Sequence, residues 1–153
     1  MRRTIEKFDR KIIRRFQKLE VPLARFAIFI VYFWFGFLKL LGVSPAGPLV
    51  EALFYKTMGF MSFEVFYTFF ALFEMAIGIL FLVRGLERAA ILLLLFHLTT
   101  TMLPLFLLPG STWQGFLTPT LEGQYIIKNI LIVACAIVVG SRLLSPEGTN
   151  KKS

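Results

Sequence analysis

Four long apolar runs divide the chain, at about residues 21–41, 63–83, 89–108 and 121–140. Each is close to the ~20 residues that a helix needs to cross ~30 Å of hydrocarbon. None shows the alternation of apolar and polar residues that the strands of a membrane barrel require. The pattern predicts an all-α membrane protein whose domain, residues 21–143, is a bundle of four transmembrane helices.

The segment before the first run, residues 1–20, has the pattern of an amphipathic helix. Its apolar residues follow helical spacing, and basic residues occupy the opposite face: Arg3, Lys7, Arg10, Lys11, Arg14 and Lys18. Such a helix lies in the membrane interface and is attracted to anionic lipid. We expect an interfacial helix on the cytoplasmic face, and Pro22 in the first turn of the helix that follows it. Docking of a cytoplasmic partner is the alternative role.

The connections between the runs differ in length and character. Residues 84–88 form a tight hairpin, whereas two longer outer loops follow the first and third runs. Turn residues open the first of these loops, and Leu49–Met58 is predicted to be a short amphipathic helix. The second outer loop, Pro109–Thr120, carries Trp113 as an interface anchor. Residues 144–153 are predicted to be a flexible cytoplasmic tail.

Composition supports a membrane location and narrows the chemistry. The chain is 57% hydrophobic, 16% aromatic and 17% charged, and 18 of its 153 residues are Phe. Soluble domains are about a quarter charged, so this chain is too apolar for that class. A single Cys excludes a disulfide framework, and a single His excludes paired-His ligation of haem or zinc within one chain. We therefore expect no metal site and no covalent cofactor.

The positive charge follows the predicted topology. Of the 17 Lys and Arg residues, 14 lie in residues 1–25, in the 84–88 turn or after residue 140. With four spans, these three segments share one side of the membrane, and the positive-inside rule makes that side cytoplasmic. The net charge of +8 therefore needs no nucleic acid to explain it, and we expect none as a partner.

Several polar residues interrupt the apolar runs. Because an ionisable side chain in lipid is costly, we expect these residues to face the bundle interior and to meet in an outward-facing polar pocket. Gly36, Ala71 and Gly78 would let the helices approach closely. The candidate ligand-binding or ion-pairing residues are Lys39, Glu64, Glu74, His97, Thr101, Gln124, Lys128 and Asn129.

Each candidate has a structural alternative. Glu74 is either a carboxylate that binds a ligand or a proton, or half of a buried ion pair with Lys39 or Lys128. His97 is either a hydrogen-bonding residue between helices or a ligand for a quinone or a proton. The threonines at 99–101 can instead satisfy backbone groups ahead of Pro104. Cys135 is expected to act as a small hydrophobic residue.

Three segments resemble motifs of the DoxX-like superfamily of small four-helix membrane proteins. They are the run Arg25–Lys39 with the loop Ser44–Val50, the E-x-x-x-G pattern in Phe73–Gly78, and E-G-x-x-x-x-K-[ND] in Leu121–Asn129. The resemblance covers about residues 21–143. It is strongest to a branch of bacterial inner-membrane proteins that includes one linked to reactive-chlorine resistance.

The resemblance implies a multi-pass protein of the bacterial inner membrane. Lys39, Glu74, Gln124, Lys128 and Asn129 match the polar positions of the superfamily. Its members include a membrane subunit of a thiosulfate:quinone oxidoreductase and partners of oxidative-stress enzymes. A shared fold does not transfer a reaction, and the single Cys of this chain argues against thiosulfate chemistry.

These observations lead to three functional hypotheses. The first is a redox-linked subunit that binds a quinone or similar amphiphile without covalent attachment. The second is a non-enzymatic accessory or assembly subunit of a larger membrane complex. The third is a homo-oligomeric transporter of a weak acid or anion, with Lys39 and Lys128 as ligands. No catalytic motif is present in the sequence, so we assign no catalytic residue and do not expect an enzyme on its own.

Overall fold

The computed structural model describes residues 2–58 and 60–143, and the side chains from residue 9 onward. The described chain is almost entirely helical, with one small antiparallel hairpin. Its helices are α1 (Arg2–Leu40), α2 (Gly47–Thr57), α3 (Phe63–Leu82), α4 (Glu87–Met102), α5 (Pro104–Leu107), α6 (Pro109–Thr112), α7 (Leu121–Ile127) and α8 (Asn129–Ser141). The strands are β1 (Trp113–Gly115) and β2 (Thr118–Pro119).

Among the described residues, four helical segments are long and apolar enough to cross a membrane, as the apolar runs predict. These segments are Asp9–Leu40, Phe63–Leu82, Glu87–Leu107 and Leu121–Ser141. The last two consist of consecutive helices, α4 with α5 and α7 with α8, which meet at Leu103 and Lys128. The predicted tail, residues 144–153, lies outside the described residues.

Helix α1 differs from the prediction because it continues through Pro22 without a break. Proline removes one backbone donor, so Lys18 loses the partner of its carbonyl, but favourable residues on both sides preserve the helix. The prediction that a new helix begins near Pro22 was therefore wrong. Arg10, Lys11, Arg14 and Lys18 are exposed along the N-terminal part of α1. The side chains of Arg3 and Lys7 lie outside the described residues, and attachment to lipid stays a prediction.

Helices α1 and α3 form the closest contact of the bundle. A Cβ added at Gly36 would lie 2.7 Å from the carbonyl oxygen of Ala71, and one added at Gly78 would lie 3.0 Å from the backbone nitrogen of Phe33. The missing side chains therefore allow backbone-to-backbone packing, as the small-residue stripes predict. Helices α4 and α8 complete a core that contains Ile28, Ile77, Phe81, Leu94 and Val139.

Two ion pairs tie together the end of the bundle that holds the α3–α4 turn. Arg25 donates to Glu87 at 2.7 Å and to the carbonyl of Phe81 at 2.6 Å. Arg142, just after α8, pairs with Glu20 of α1. The middle of α1, the α3–α4 turn and the end of α8 therefore lie together.

The opposite end carries α2 and the short hairpin. The prediction of a short helix in the first loop is confirmed, although α2 begins two residues earlier than expected, with Pro48 in its first turn. Lys56 of α2 donates to the carbonyl of Leu107 at 2.6 Å, which attaches this helix to the third span. In the second loop, Trp113 is half-buried and donates to the carbonyl of Leu105 at 2.9 Å. Its indole is therefore fixed to α5 through a backbone contact.

The contact between α1 and α3 leads to a test with small substitutions. We expect Gly36→Ala and Gly78→Ala each to lower the free energy of unfolding by about 1–3 kcal/mol, because the new methyl group meets backbone atoms that cannot move aside easily. Reversible unfolding in mixed detergent micelles measures the change. Gly110→Ala is the matched control, since a Cβ there meets nothing within 4 Å. Equal stability of all three variants would contradict close packing at this contact.

Candidate functional site

A buried ion pair joins the two closely packed helices. Lys39, in the last turn of α1, places its Nζ 2.5 Å from Oε2 of Glu74 in the middle of α3. Each residue is only 6% exposed. The ammonium also lies 5.6 Å from the centre of the Phe70 ring, a favourable cation–π distance. Of the two partners that the sequence left open for Glu74, the structure selects Lys39.

His97 of α4 continues this arrangement toward α1. Its Nδ1 lies 3.2 Å from the hydroxyl of Tyr32, and its Nε2 lies 3.1 Å from Oε1 of Glu74. The Nε2 contact is close but poorly aligned, so this buried nitrogen has no hydrogen-bond partner within the described chain. Lys39, Glu74, His97 and Tyr32 thus form one buried polar cluster that connects α1, α3 and α4.

Aromatic rings surround the imidazole of His97. Phe70 stacks on it with ring centres 5.0 Å apart, and Tyr32 meets it edge-on at 5.2 Å. Phe73 lies at 6.0 Å. The imidazole is therefore buried among these rings, being only 3% exposed, and low local polarity strengthens the electrostatic contacts within the cluster.

The larger of two cavities beside the cluster is mainly apolar, and we call it the aromatic cavity. It has a volume of about 380 Å³ and lies among α2, α3, α4 and the start of α5. Its polar lining consists of Lys39, Glu74 and the threonines at 57, 100 and 101. Its aromatic wall is made by Phe54, Phe66, Phe70, Phe73 and Phe96.

The smaller cavity, of about 130 Å³, lies on the other side of the cluster, and we call it the polar cavity. It is bounded by α1, α4 and the start of α8. Glu74 and Thr101 line both cavities, whereas Lys39 lines only the aromatic one. The lining residues of the polar cavity are Val31, Tyr32, Phe35, Glu74, His97, Thr101, Asn129 and Ile132.

The threonines before Pro104 also have a structural task. The hydroxyls of Thr100 and Thr101 donate to the carbonyls of His97 and Leu98 at 2.7 and 3.0 Å. Bonding to their own helix leaves the hydroxyl oxygens with free acceptor capacity toward the cavities. The structural and ligand-binding roles that the sequence left open for Thr101 are therefore compatible.

Three predicted residues neither join the cluster nor line its two cavities. Glu64 is exposed in the first turn of α3, and Gln124 and Lys128 are exposed on α7 and at its end. The helical stripe that contains Gln124 and Lys128 was assigned to the wrong face, because Gly123 and Ile126 form the buried side of α7. Lys128 instead lies 5.0 Å from the ring centre of Tyr125. The prediction that all the polar stripes meet in one pocket was wrong at these positions.

The cavities also contain residues that were not among the sequence candidates. Tyr32 is one of them, and it lines the polar cavity. Phe66, Phe70 and Phe73 form an aromatic stripe that faces the aromatic cavity. Their spacing of three and four residues along α3 was the available signal, but in so Phe-rich a chain it did not distinguish a cavity wall from a lipid-facing surface.

The described side chains offer no cluster of three or more His, Cys, Asp and Glu residues that could hold a metal ion. The polar groups that do converge are one ammonium, one carboxylate, one imidazole and several hydroxyl groups. This set suits hydrogen bonding to an organic head group.

The buried pair predicts strong non-additivity between its two members. We expect Glu74→Gln or Lys39→Gln alone to cost about 3–5 kcal/mol, because each leaves one buried charge without its partner. The double variant Lys39→Gln/Glu74→Gln should cost clearly less than the sum of the two, since it leaves no charge behind. Unfolding free energies of the four proteins in the same micelles provide the comparison. Additive effects would show that the two side chains do not interact in the membrane protein.

Comparison with known proteins gave no relative. No family model, no curated protein and no solved structure matches this chain. The positive findings about this chain are its four helices that are long and apolar enough to span a membrane, and the buried cluster and two cavities among them.

Proposed function

We propose that this chain is a multi-pass protein of the bacterial inner membrane that binds a quinone or a similar amphiphile in the aromatic cavity. The observation that carries the proposal is the combination of phenyl walls with the buried Lys39–Glu74 pair at the edge of that cavity. Small-molecule sites are commonly apolar clefts of about 300–1,000 Å³ with a few polar groups that orient the ligand. The aromatic cavity has this character.

The chemistry of the lining fits a planar ring with oxygen substituents. Phenyl rings can stack against the ring. Lys39 carries three N–H donors, of which Glu74 takes one, so the ammonium retains donors for a ligand carbonyl. The free acceptor capacity of Thr100 and Thr101 would receive a ligand hydroxyl. The same lining therefore suits both a quinone and its quinol.

The resemblance to the DoxX-like superfamily adds support for this site. Lys39 and Glu74 belong to separate motifs of that resemblance, and they pair across 2.5 Å. Asn129, from the third motif, lines the polar cavity on the other side of Glu74. We propose membership of this superfamily on these grounds. Gln124 and Lys128 match the same motif but lie on the surface, so we assign them no part in binding.

The proposed orientation places both termini in the cytoplasm. The contacts of Arg25 with Glu87 and of Arg142 with Glu20 gather the basic segments at one end of the bundle. The positive-inside rule makes that end cytoplasmic. The aromatic cavity, which is lined in part by α2, then belongs to the outer half of the membrane.

Titration of the protein in lipid nanodiscs with decylbenzoquinone tests this function. We expect saturable binding, with empty nanodiscs as the blank for partition into lipid. Leu53→Trp, which adds bulk from α2 into the aromatic cavity, should weaken binding at least about tenfold, or ~1.4 kcal/mol. Leu92→Trp is the matched control, because Leu92 is 69% exposed on α4. Binding that is absent, or equal in both variants, would contradict a quinone site in this cavity.

An accessory role in a larger complex is the second candidate, favoured by the length of α1. Its 39 residues extend about 58 Å, nearly twice the ~30 Å of a hydrocarbon core. Near its N-terminal end, Ile13, Phe16 and Leu19 are 45%, 67% and 56% exposed. These apolar side chains stand beside exposed basic residues, a combination suited to a partner subunit with an acidic surface.

Native mass spectrometry of protein extracted from its own membranes tests the accessory role. We expect a stoichiometric complex that Phe16→Asp disrupts, because the substitution removes an exposed phenyl ring from the apolar contact and places a carboxylate there without a partner. Gln17→Asp adds the same charge at the next exposed position and should retain the complex. A monomer or homo-oligomer without a second protein would contradict this role.

A further inference from the structure

The charged residues that line the aromatic cavity neutralise each other. Among the described residues that line it, the only charged ones are Lys39 and Glu74, and they pair at 2.5 Å. Lys56, on neighbouring α2, is exposed and directs its ammonium to the carbonyl of Leu107. The lining therefore has a net charge of zero, because the positive charge of Lys39 balances the negative charge of Glu74.

This balance decides which head groups the cavity tolerates. An anion that approached Lys39 would also approach the carboxylate of Glu74 and would have to displace it. Displacement would leave that carboxylate without its ammonium partner in an apolar surrounding, where an unpaired charge is strongly unfavourable. A cation would meet the corresponding penalty at Lys39. A neutral head group can accept a hydrogen bond from Lys39 while the ion pair stays intact.

We propose that the Lys39–Glu74 pair makes the aromatic cavity selective for uncharged amphiphiles, with Glu74 as the specificity-determining residue. This inference rests on the proposed function, because it defines the class of ligand that the same cavity accepts. Lys39 alone would attract anions. Its neutralisation by Glu74 converts a cationic site into a hydrogen-bond donor for neutral carbonyl or hydroxyl groups.

Two probes of similar shape test the selectivity of the wild-type protein. Decylbenzoquinone and decylbenzenesulfonate share a six-membered ring and a decyl chain, but the sulfonate carries a permanent negative charge. Both are titrated into the protein in nanodiscs of neutral phosphatidylcholine, with empty nanodiscs as the blank for each probe. We expect the quinone to bind at least about tenfold more tightly than the sulfonate after correction for partition. Equal affinities, or tighter binding of the sulfonate, would overturn the inference.

Removal of the carboxylate should reverse this preference. In Glu74→Gln, the buried ammonium of Lys39 lacks its partner, and we expect affinity for the sulfonate to rise at least about tenfold. In Lys39→Gln/Glu74→Gln, the lining is neutral again and the sulfonate should once more bind weakly. Glu64→Gln is the matched control, because it removes a carboxylate from the exposed first turn of the same helix and should leave both affinities unchanged.

The outcomes separate this inference from the proposed function. If neither probe binds the wild-type protein, the proposed function itself fails. If both bind equally well, the cavity takes amphiphiles but the pair does not select among them. A folded Glu74→Gln variant that gains no affinity for the sulfonate also overturns the inference. If that variant does not fold, the wild-type ratio and the double variant decide the question, because neither contains an unpaired buried charge.

Discussion

The buried contact between Lys39 and Glu74 constrains the whole helical arrangement. Both charged side chains are buried, so each depends on the other for its stability. Their separation of 2.5 Å is possible because α1 and α3 approach closely, and that approach depends on Gly36 and Gly78. The two glycines have no functional side chain, yet they determine whether the charged groups of Lys39 and Glu74 can come into contact.

The rest of the site is arranged around this contact. His97 reaches Glu74 from α4, and Tyr32 holds the other ring nitrogen from α1. Phe70 stacks on the imidazole and also faces the ammonium of Lys39. One carboxylate thus organises an ammonium, an imidazole and the rings that shield them. This arrangement keeps several polar groups inside a four-helix bundle.

Much of the fold was predictable because lipid imposes strong rules on a sequence. The length of each apolar run predicts a span, and the high cost of a charge in lipid places Lys39 and Glu74 in the interior. The same rule failed for Glu64 and Lys128. Glu64 is exposed in the first turn of α3, and the long side chain of Lys128 packs over the ring of Tyr125. The cost of burying a charge in lipid is therefore a reliable guide in the middle of a span, but a poorer one near the ends of a span and at breaks in the helix.

Other features depend on contacts between segments that are distant in the chain. Nothing near Arg25 in the sequence indicates that it pairs with Glu87, and nothing near Glu20 indicates Arg142. The continuity of α1 through Pro22 was also missed, because a single unfavourable residue was given more weight than the helix-forming residues on either side of it. The Phe residues that wall the aromatic cavity could not be assigned from the sequence, because the same Phe spacing suits a cavity wall and a lipid-facing surface.

The two cavities have a common wall, since Glu74 and Thr101 line both of them. The two oxygens of Glu74 divide between the cavities: Oε2 pairs with Lys39, which lines the aromatic cavity, and Oε1 lies 3.1 Å from Nε2 of His97, which lines the polar cavity. If a ligand in the aromatic cavity moved this carboxylate, the hydrogen bonding available in the polar cavity would change with it, and such linkage is reciprocal. Tyr32, His97 and Asn129 would then respond to a ligand that they do not touch.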